Sequence, residues 1–439
     1  MLLLSQAVLL SLLSAVLALP QAIQLPFSST SSLSLPSQFP ASLSTQLDSA
    51  ISQLPLDHLL QLQDHVTTYD EPRTVTLRDG ARGIDSSVSF TLTEGEKSLL
   101  TLLGIRYIDT SIPIPTLSSL SAPSYPSHLS HNLTSLSPLL KSISIPSMKS
   151  FLSSFTSFRT RYYRSQTGRE SQLFLLNHLK ELHATLNPNA KVSFREFKHS
   201  NWDQRSIIVR WEPSHSRGNY SDEVVMLSAH QDSTNSLPFL PAPGADDDAS
   251  GTVTLIETFT SLLTHKFEPT SNPIEFAFFS AEEGGLLGSG EVAREYANEG
   301  KKVKGLFHMD VVAYVKPGTT PAIGLITDGV NLDLVEFMKL LINEYATIPY
   351  VETQCGYGCS DFASFTKAGY PSTCLAEGKF ADSNPHMHSM QDTTSLEGYS
   401  FEHIVEYVRV AIGYAVELGG MEKGRRRGKD GKEGKWRMD

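Results

Sequence analysis

The chain has 439 residues, which is enough for one large domain with accessory segments. Its composition, 40% hydrophobic and 19% charged, is ordinary for a globular protein. A formal net charge of −11 argues against a nucleic-acid partner, because such partners select a basic surface.

The N-terminal stretch is apolar from Met1 onward and ends in small residues near Ala18. It is short for a membrane span and is typical of a secretory signal peptide over residues 1–18, although it lacks Lys and Arg. No later stretch is apolar for long enough to cross a bilayer. The sequence therefore predicts a secreted, extracellular protein with no membrane partner. The sequons at Asn132 and Asn219 fit a secreted glycoprotein.

A composition shift suggests that a separate segment follows the signal peptide. Residues 20–55 are rich in Ser, Pro and Leu, which predicts no fixed fold. Residues 56–110 have more order, with helix signals near 56–62 and 93–103 and a strand signal at 73–77. A second Ser/Pro-rich stretch covers 112–138. This pattern favours a removable propeptide over residues 19–125, and a flexible linker is the alternative.

The rest of the chain alternates between strand and helix signals. Strands are predicted at 192–197, 206–211, 223–230, 274–280, 303–310 and 322–328, and helices at 151–163, 171–186, 251–265, 286–298, 330–346 and 400–418. The alternation predicts an α/β fold, a single domain over residues 126–420 with a mixed, mostly parallel central sheet flanked by helices. The tail, 421–439, is dense in Gly, Lys and Arg and is predicted to be disordered.

Two adjacent acids, Glu282 and Glu283, follow the apolar strand at 274–280 and precede a Gly pair. In an open α/β sheet, ligands bind at the carboxyl ends of the strands. Adjacent acids cannot point the same way, so one can bind a metal ion while its neighbour transfers protons. The alternative is a solvated acid pair that opens a helix.

Other predicted strand ends and loops carry metal-competent side chains. They lie at 228–232, 243–251 and 306–310, and in a late polar loop at 384–392. Histidine and carboxylate together are zinc-compatible ligands. Each group alone has an ordinary explanation, such as a core histidine at His230 or a helix cap in the Asp triplet. Jointly they favour a metal site.

Four motifs in consistent order carry a family resemblance. They are Ala229-His-Gln-Asp232, the run Pro-Gly-Ala-Asp-Asp-Asp-Ala-Ser-Gly at 243–251, Ala-Glu-Glu-Gly-Gly-Leu-Leu-Gly-Ser at 281–289, and Cys-Gly-Tyr-Gly-Cys-Ser-Asp-Phe-Ala-Ser at 355–364. Together they resemble the secreted two-zinc leucine aminopeptidases of fungi and marine bacteria over residues 139–419. Residues 56–110 resemble the inhibitory propeptide of that family.

The resemblance implies two Zn²⁺ ions per chain. One zinc would be bound by His230 and Asp310 and the other by His388 and Glu283, with Asp247 bridging both. Two zinc ions carry four positive charges and the three carboxylates carry three negative charges, so a bridging hydroxide would neutralise the remaining charge. Bound metal ions lower the pKa of water, which would make that hydroxide available near neutral pH. The family usually has a cis peptide after the bridging Asp.

The same resemblance implies roles in catalysis. Glu282 would be the general base, and Asp232 would orient the imidazole of His230. Cys355 and Cys359 fit a short local disulfide, which secretion makes chemically reasonable. Tyr357, between them, would donate to the oxyanion of the tetrahedral intermediate. A core tyrosine packed on a disulfide is the alternative for that residue.

The resemblance also places an apolar substrate pocket, at Val311, Ile326, Cys374, Ala376, Phe380 and Met387. Cys374 and Ala376 stand where some relatives have larger residues, Ser383 replaces an aromatic residue, and the loop at 233–243 is shorter than in bacterial relatives. The pocket should still accept Leu-like side chains. His388 is preferred to His386 as a ligand, because it precedes Ser-Met-Gln-Asp-Thr, and His308 is interpreted as structural.

The sequence thus predicts a secreted metallo-aminopeptidase that removes an N-terminal leucine or other apolar residue from peptides with a free N-terminus. We expect it to be a monomer. One alternative is a glutaminyl-cyclase-like or deacylase zinc enzyme on the same fold. Another is a catalytically dead ectodomain used for binding, which the complete set of ligand and base residues disfavours.

Overall fold

The computed structural model describes residues 33–37, 39–77, 88–117, 124–213 and 221–421. The predicted signal peptide, nearly all of the basic tail and the sequon residue Asn219 lie outside these ranges. Among the described residues, no helix has the length and apolar character that crossing a membrane requires.

The described residues form eleven α-helices and eleven β-strands. The helices are α1 (Ala41–Ser52), α2 (Leu56–Thr68), α3 (Lys97–Leu102), α4 (Leu133–Lys141), α5 (Ile145–Phe155), α6 (Gln166–Leu186), α7 (Ala249–Thr264), α8 (Leu287–Asn298), α9 (Leu332–Tyr345), α10 (Phe362–Ala368) and α11 (Phe401–Gly419). The strands are β1 (Pro72–Leu77), β2 (Ser89–Thr93), β3 (Tyr107–Asp109), β4 (Val192–Phe197), β5 (Ser206–Trp211), β6 (Val224–His230), β7 (Ile274–Phe279), β8 (Val303–Met309), β9 (Ile323–Ile326), β10 (Tyr350–Thr353) and β11 (Ser372–Ala376).

The N-terminal segment, residues 33–117, forms a small unit of three helices and an antiparallel sheet in the order β2-β1-β3. Its apolar residues make a separate core cluster, which also receives Leu237 from the larger part of the chain. The prediction that residues 20–55 have no fixed fold is wrong for α1. Leu43 and Leu47, four residues apart, lie on one helix face and are buried in that cluster.

A single eight-stranded sheet organises the rest of the molecule, in the order β10-β9-β11-β8-β6-β7-β5-β4. The central strands β11, β8, β6 and β7 are parallel neighbours, whereas β4, β5 and β9 add antiparallel pairs. Helices α4 to α7, α9 and α11 cover one face and α8 and α10 the other, each with its own apolar cluster. The predicted mixed, mostly parallel sheet flanked by helices is confirmed.

Some predicted elements differ from the structure. The helix predicted at 151–163 is instead α5, which starts after Ser144, whose hydroxyl accepts a hydrogen bond from the Ser147 N–H at 3.2 Å, and which ends at Phe155. The stretch 112–138 was predicted to fold weakly, but it contains the start of α4, where Asn132 and Ser135 form a reciprocal capping box. The strand β11, central in the sheet, was not predicted at all.

Candidate active site

Three neighbouring parallel strands bring the acidic and histidine motifs to one edge of the sheet. β6 ends at His230, β8 ends one residue before Asp310, and β7 is followed closely by Glu282 and Glu283. β6 lies between β7 and β8 and runs parallel to both. The carboxyl ends of the three strands therefore meet, which is the position where open α/β sheets bind ligands.

Five side chains at this edge form two groups joined by Asp247. His230 Nε2 lies 3.2 Å from Asp247 Oδ1 and 3.4 Å from Asp310 Oδ1. His388 Nε2 lies 3.2 Å from Asp247 Oδ2 and 3.0 Å from Glu283 Oε2. The structure thus brings together all five predicted ligands, and the two oxygens of Asp247 face different histidines.

The residues of both groups fit divalent cations. Two ligands at about 2.0–2.1 Å from a tetrahedral zinc lie roughly 3.3 Å apart, which matches N···O separations of 3.0–3.4 Å in these groups. Within the described ranges, His230 Nε2, Glu283 Oε1 and Asp310 Oδ1 are buried and make no hydrogen bond. Buried polar atoms without hydrogen bonds are costly, and a coordinated cation would satisfy them.

The electrostatics of this edge also favour cations. Burial lowers the pKa of His230, but the negative charge of Asp310 and the other nearby carboxylates outweigh it and raise the pKa well above the ordinary value. For His388, burial is likewise outweighed, chiefly by the Glu283 charge. Burial raises the pKa of Glu282 well above the usual range, His230 opposes this rise, and Glu283 adds to it. Bound cations would lower that pKa again.

Two further acids, Asp248 and Asp392, hold the backbone around Asp247. Asp248 caps α7 through the Gly251 N–H at 2.9 Å, and its other oxygen accepts from the His230 N–H at 3.1 Å. Asp392 accepts the N–H groups of Asp246 and Asp247, both at 3.0 Å. Sequence reasoning gave neither acid a role, although both lie within motifs. The peptide bond between Asp247 and Asp248 is cis, as the family pattern implied.

Asp232 lies beside His230 but differs in detail from the sequence-based expectation. Its carboxylate oxygens accept the backbone N–H groups of Glu282 and Glu283, each at 3.2 Å. The His230 Nδ1 lies 3.2 Å from the Asp232 carbonyl oxygen and 3.6 Å from the carboxylate. In this geometry, the Asp232 carbonyl rather than its carboxylate is the hydrogen-bonding partner of the imidazole, and the carboxylate fixes the turn that carries both glutamates.

Backbone strain is concentrated at this edge. Ala281, Val311 and His388 have φ values of 59°, 49° and 56°, in the left-handed region that non-glycine residues rarely occupy. Ala281 directly precedes Glu282, Val311 directly follows Asp310, and His388 is itself a candidate ligand. Such strain costs about 1–3 kcal/mol per residue and persists mainly at functional sites.

The loop from Cys355 to Cys359 lies next to the candidate pocket and contains the predicted disulfide. Tyr357 is half-buried, and burial raises the pKa of its phenol above the ordinary value. The phenol therefore stays protonated near neutral pH and can donate a hydrogen bond. Arg106 of the N-terminal segment lies over this ring, with its guanidinium carbon 5.3 Å from the Tyr357 centroid and 5.0 Å from that of Phe380.

Most of the predicted pocket residues belong to one apolar cluster. Ile326, Cys374 and Ala376 are buried in it, and Val311, Phe380 and Tyr357 pack against it. Met387 is half-buried outside this cluster, and Cys374 is free and buried.

Two histidines near the site take no part in the ligand groups. His308 is held between two serines, with Nδ1 2.9 Å from Ser228 Oγ and Nε2 2.7 Å from Ser360 Oγ. Burial lowers its pKa to about 3. Both ring nitrogens are already used, which agrees with a structural role. His386 is half-buried and belongs to neither group of candidate ligands among the described residues.

Known proteins resemble this chain in sequence. The profile of Peptidase family M28 matches residues 206–412. Leucine aminopeptidase 1 from Colletotrichum graminicola is 42% identical over 277 residues, covering 61% of this chain and 67% of that protein. Leucine aminopeptidase 1 from Sclerotinia sclerotiorum is 43% identical over 277 residues, covering 61% and 69%.

Solved structures share the fold. The LapA aminopeptidase of Legionella pneumophila superposes with a TM-score of 0.68 at 20% identity, covering 81% of this chain and 100% of that chain. LapB from the same organism gives a TM-score of 0.67 at 24% identity, covering 80% and 100%.

The fold and the sequence relatives define a peptide hydrolase of the aminopeptidase class. The chain belongs to peptidase family M28.

Proposed function

We propose that this protein is a secreted aminopeptidase that uses two zinc ions to remove an N-terminal leucine or other apolar residue from peptides. One observation carries the proposal: the two oxygens of Asp247 face His230 and His388 separately, each beside a further carboxylate. This arrangement offers two ligand sets that share one bridging group.

The proposed ligands are His230 and Asp310 for one zinc, His388 and Glu283 for the other, and Asp247 for both. When bound, zinc supplies Lewis acidity, which lowers the pKa of water to near 7 and polarises a carbonyl group. The alternation of imidazole and carboxylate is the donor set that zinc accepts in proteins.

Glu282 is proposed as the general base and Tyr357 as the donor to the oxyanion. Glu282 would accept a proton from the attacking water and deliver it to the leaving amine. Its backbone N–H is held by Asp232 at 3.2 Å, and its carbonyl accepts from the Gly285 N–H at 2.8 Å, so the turn that carries it is fixed at two points. The Tyr357 phenol, protonated and half-buried, is suited to stabilise negative charge on the substrate oxygen.

The preference for leucine is proposed from the apolar cluster beside the ligands. Ile326, Cys374 and Ala376 offer aliphatic and thiol surface, with Val311 and Phe380 at the side. Burying a branched aliphatic side chain in such a pocket would contribute about 0.8 kcal/mol of binding free energy per methylene. The names of the fungal relatives support the same substrate.

We also propose that residues 1–18 are a signal peptide and that residues 19–125 are a propeptide that holds the enzyme inactive until removed. The N-terminal segment contacts the turn after Glu283: Lys97 Nζ donates to the Gly284 carbonyl at 2.9 Å, and the Asp109 N–H donates to the Gly285 carbonyl at 3.1 Å. Arg106 also lies over the rings of Tyr357 and Phe380, so the segment contacts residues proposed for catalysis and substrate binding.

The mature enzyme is proposed to be a monomer that is glycosylated at Asn132 and Asn219. Asn132 is exposed, and its side-chain oxygen accepts the Ser135 N–H at 2.9 Å as the cap of α4. This hydrogen bond uses the oxygen, which leaves the amide nitrogen for a glycan.

Zinc analysis combined with hydrolysis of leucine p-nitroanilide tests the function. We expect two zinc ions per chain and release of nitroaniline. A cyclase-like enzyme on this fold would hold one zinc and leave the anilide intact.

Glu282→Gln tests the base. We expect turnover to fall to the background while both zinc ions stay bound, because the amide keeps the shape of the side chain but cannot accept the proton. Activity that survives the substitution would contradict this role.

A further inference from the structure

We infer that Asp328 is a positioning residue for the reaction: its carboxylate holds the disulfide loop so that the Tyr357 hydroxyl meets the developing oxyanion. This inference rests on the role proposed above for Tyr357. Asp328 follows β9, so a second part of the fold would contribute to the position of the proposed oxyanion donor.

The Asp328 carboxylate binds two successive backbone amides that lie directly before Tyr357. Asp328 Oδ1 accepts the Cys355 N–H at 3.0 Å, and Oδ2 accepts the Gly356 N–H at 2.9 Å. A carboxylate that accepts two amides through separate oxygens fixes both the distance and the orientation of the peptide plane between them. The next residue along the chain is the proposed donor.

Asp328 is itself held by the central sheet. It lies two residues after the end of β9, which pairs in parallel with β10. Thr327 extends that pairing, because its N–H and its hydroxyl both donate to the Thr353 carbonyl, at 3.0 and 3.2 Å. The carboxylate therefore connects the rigid sheet to the loop.

Packing holds the Cys355 side chain, which is buried in the apolar cluster, but it does not hold Gly356. Gly356 is exposed, has a φ of +80°, and no atom of a described residue lies within 4 Å of where a Cβ would stand. A residue without neighbours on that side is held by its backbone bonds. The Gly356 N–H is held by Asp328, and Cys355 before it is held by a second hydrogen bond to Asp328, by the disulfide to Cys359 and by burial.

The disulfide alone leaves the loop freedom that matters to catalysis. It joins the two ends of the loop to each other but does not set the orientation of the peptide plane between Cys355 and Gly356, which the Asp328 carboxylate binds on both sides. A displacement of about 1 Å of a catalytic group can cost on the order of 10²-fold in rate. Removing an oxyanion donor such as the Tyr357 hydroxyl lowers kcat on the order of 10²-fold. Removing the Asp328 carboxylate should lower kcat by at most that amount.

Substrate binding should change little, because Asp328 is not among the residues of the apolar cluster that forms the pocket. The loss should appear in kcat, with KM within about threefold of the wild type. A purely structural role for Asp328 would instead lower thermal stability and the amount of active enzyme, and its effect would be independent of Tyr357.

A double-mutant cycle tests the inference. Asp328→Ala, Tyr357→Phe and the double variant are compared in leucine p-nitroanilide hydrolysis by the zinc-loaded protein purified from the medium, with zinc content and Tm measured for each. We expect Asp328→Ala to lower kcat by about 10- to 100-fold and the double variant to be no slower than Tyr357→Phe alone. Asp333→Ala, an exposed acid in the first turn of α9, is the matched control and should retain wild-type kcat.

The outcomes separate the inference from the function on which it rests. Effects that multiply in the double variant, or an Asp328→Ala kcat within about twofold of the wild type, would overturn the positioning role. A Tyr357→Phe variant with wild-type kcat would overturn the oxyanion role and the positioning role together. Wild-type hydrolysis of the anilide tests the aminopeptidase function separately. If Asp328→Ala does not fold, Asp328→Asn, which keeps one acceptor, carries the same test.

Discussion

Two clusters of buried charged side chains in the described part of the chain differ in how their charges are balanced. Between the N-terminal segment and the larger part of the chain, the Glu94 carboxylate forms ion pairs with Arg73 Nε at 2.7 Å and Lys97 Nζ at 2.9 Å. Lys97 Nζ also lies 3.1 Å from Asp109 Oδ2, and Arg164 Nη2 lies 3.4 Å from Glu94. Each carboxylate of this interface cluster has a basic side chain from the chain itself.

The cluster at the sheet edge has no such balance. Among the described residues, Asp247, Glu283 and Asp310 form ion pairs only with two histidines. Several of its buried ligand atoms make no hydrogen bond. A buried charge cluster with its own basic counter-ions can therefore join parts of a fold, whereas a cluster with excess negative charge favours a bound cation.

Asp247→Asn should break the unbalanced cluster most completely. Asp247 belongs to both ligand groups, and the amide removes its negative charge and replaces one of its two oxygens by nitrogen. We therefore expect loss of bound zinc. A metal ion contributes several kcal/mol to the transition state, and activity should fall by on the order of 10³-fold or more. Zinc content and leucine p-nitroanilide hydrolysis measure both effects. Unchanged zinc content would exclude Asp247 as the bridging ligand.

Glu94→Gln should weaken the self-neutralised cluster without affecting zinc. The substitution removes the acid that Arg73, Lys97 and Arg164 share. Breaking a buried ion pair by removing one partner costs about 3–5 kcal/mol. We expect a clearly lower Tm for the unprocessed protein. The control is Glu336→Gln, which removes an exposed pair with Lys339 and should change stability by less than about 1 kcal/mol. Equal Tm values for the two variants would contradict the distinction.

Acid should weaken the same cluster over a definite pH range. Burial raises the pKa of Glu94, but Lys97, Arg164 and Arg73 outweigh it and lower the pKa from 4.5 to about 2. A depressed carboxyl pKa stabilises the folded state above pH 4.5, by about 3 kcal/mol, and this is lost as the pH falls toward 2. Tm measured against pH for wild type and Glu94→Gln checks this. The variant should lack that part of the acid transition, and identical profiles would contradict it.

His65 should add a second loss of stability on acidification, at higher pH than the loss caused by Glu94. Burial lowers its pKa from 6.5 to about 4. The unfolded chain therefore binds the proton first, and the stability that neutral His65 provides is lost as the pH falls from 6.5 to 4. The charge of Glu94 opposes this lowering, so the His65 step should be larger in Glu94→Gln. The wild type, which is more stable above pH 4.5, should lose its advantage from Glu94 as the pH falls toward 2.

Arg106→Ala should produce the smallest effect, because Arg106 is exposed and links the two regions through ring contacts alone. A cation over an exposed aromatic ring contributes about 0.5–1 kcal/mol. If the segment inhibits the enzyme, the residual activity of the unprocessed protein should rise about two- to fivefold, while the processed enzyme is unchanged. Leucine p-nitroanilide hydrolysis before and after processing measures the ratio. A ratio equal to that of the wild type would show that Arg106 does not contribute to inhibition.

The sequence revealed the parts of the fold whose signals are local. Long apolar runs that end in polar residues, such as β6 at His230 and β7 before Glu282, marked both the strands and the candidate ligands. By contrast, β11 is a short run of small residues, Ser372–Ala376, whose place between β8 and β9 depends on its neighbours. Local composition does not report such pairing.

The supporting contacts of the site could not be predicted for a related reason. Asp392 binds the backbone N–H of Asp247, 145 residues earlier, and Asp328 binds Cys355, 27 residues later. A carboxylate that accepts a backbone amide leaves no pattern in the sequence of its partner, because every residue except proline supplies that amide. The Ser/Pro-rich composition hid α1 in the same way, since its stability comes from burying Leu43 and Leu47 in the segment core.

The central claim, that Asp247 joins two cation sites, is tested most directly by titrating metal-free protein with zinc and counting the ions bound. We expect two zinc ions per chain for the wild type and for Glu94→Gln, and neither site intact in Asp247→Asn. A wild-type protein that binds a single zinc, or an Asp247→Asn variant that still binds two, would contradict it.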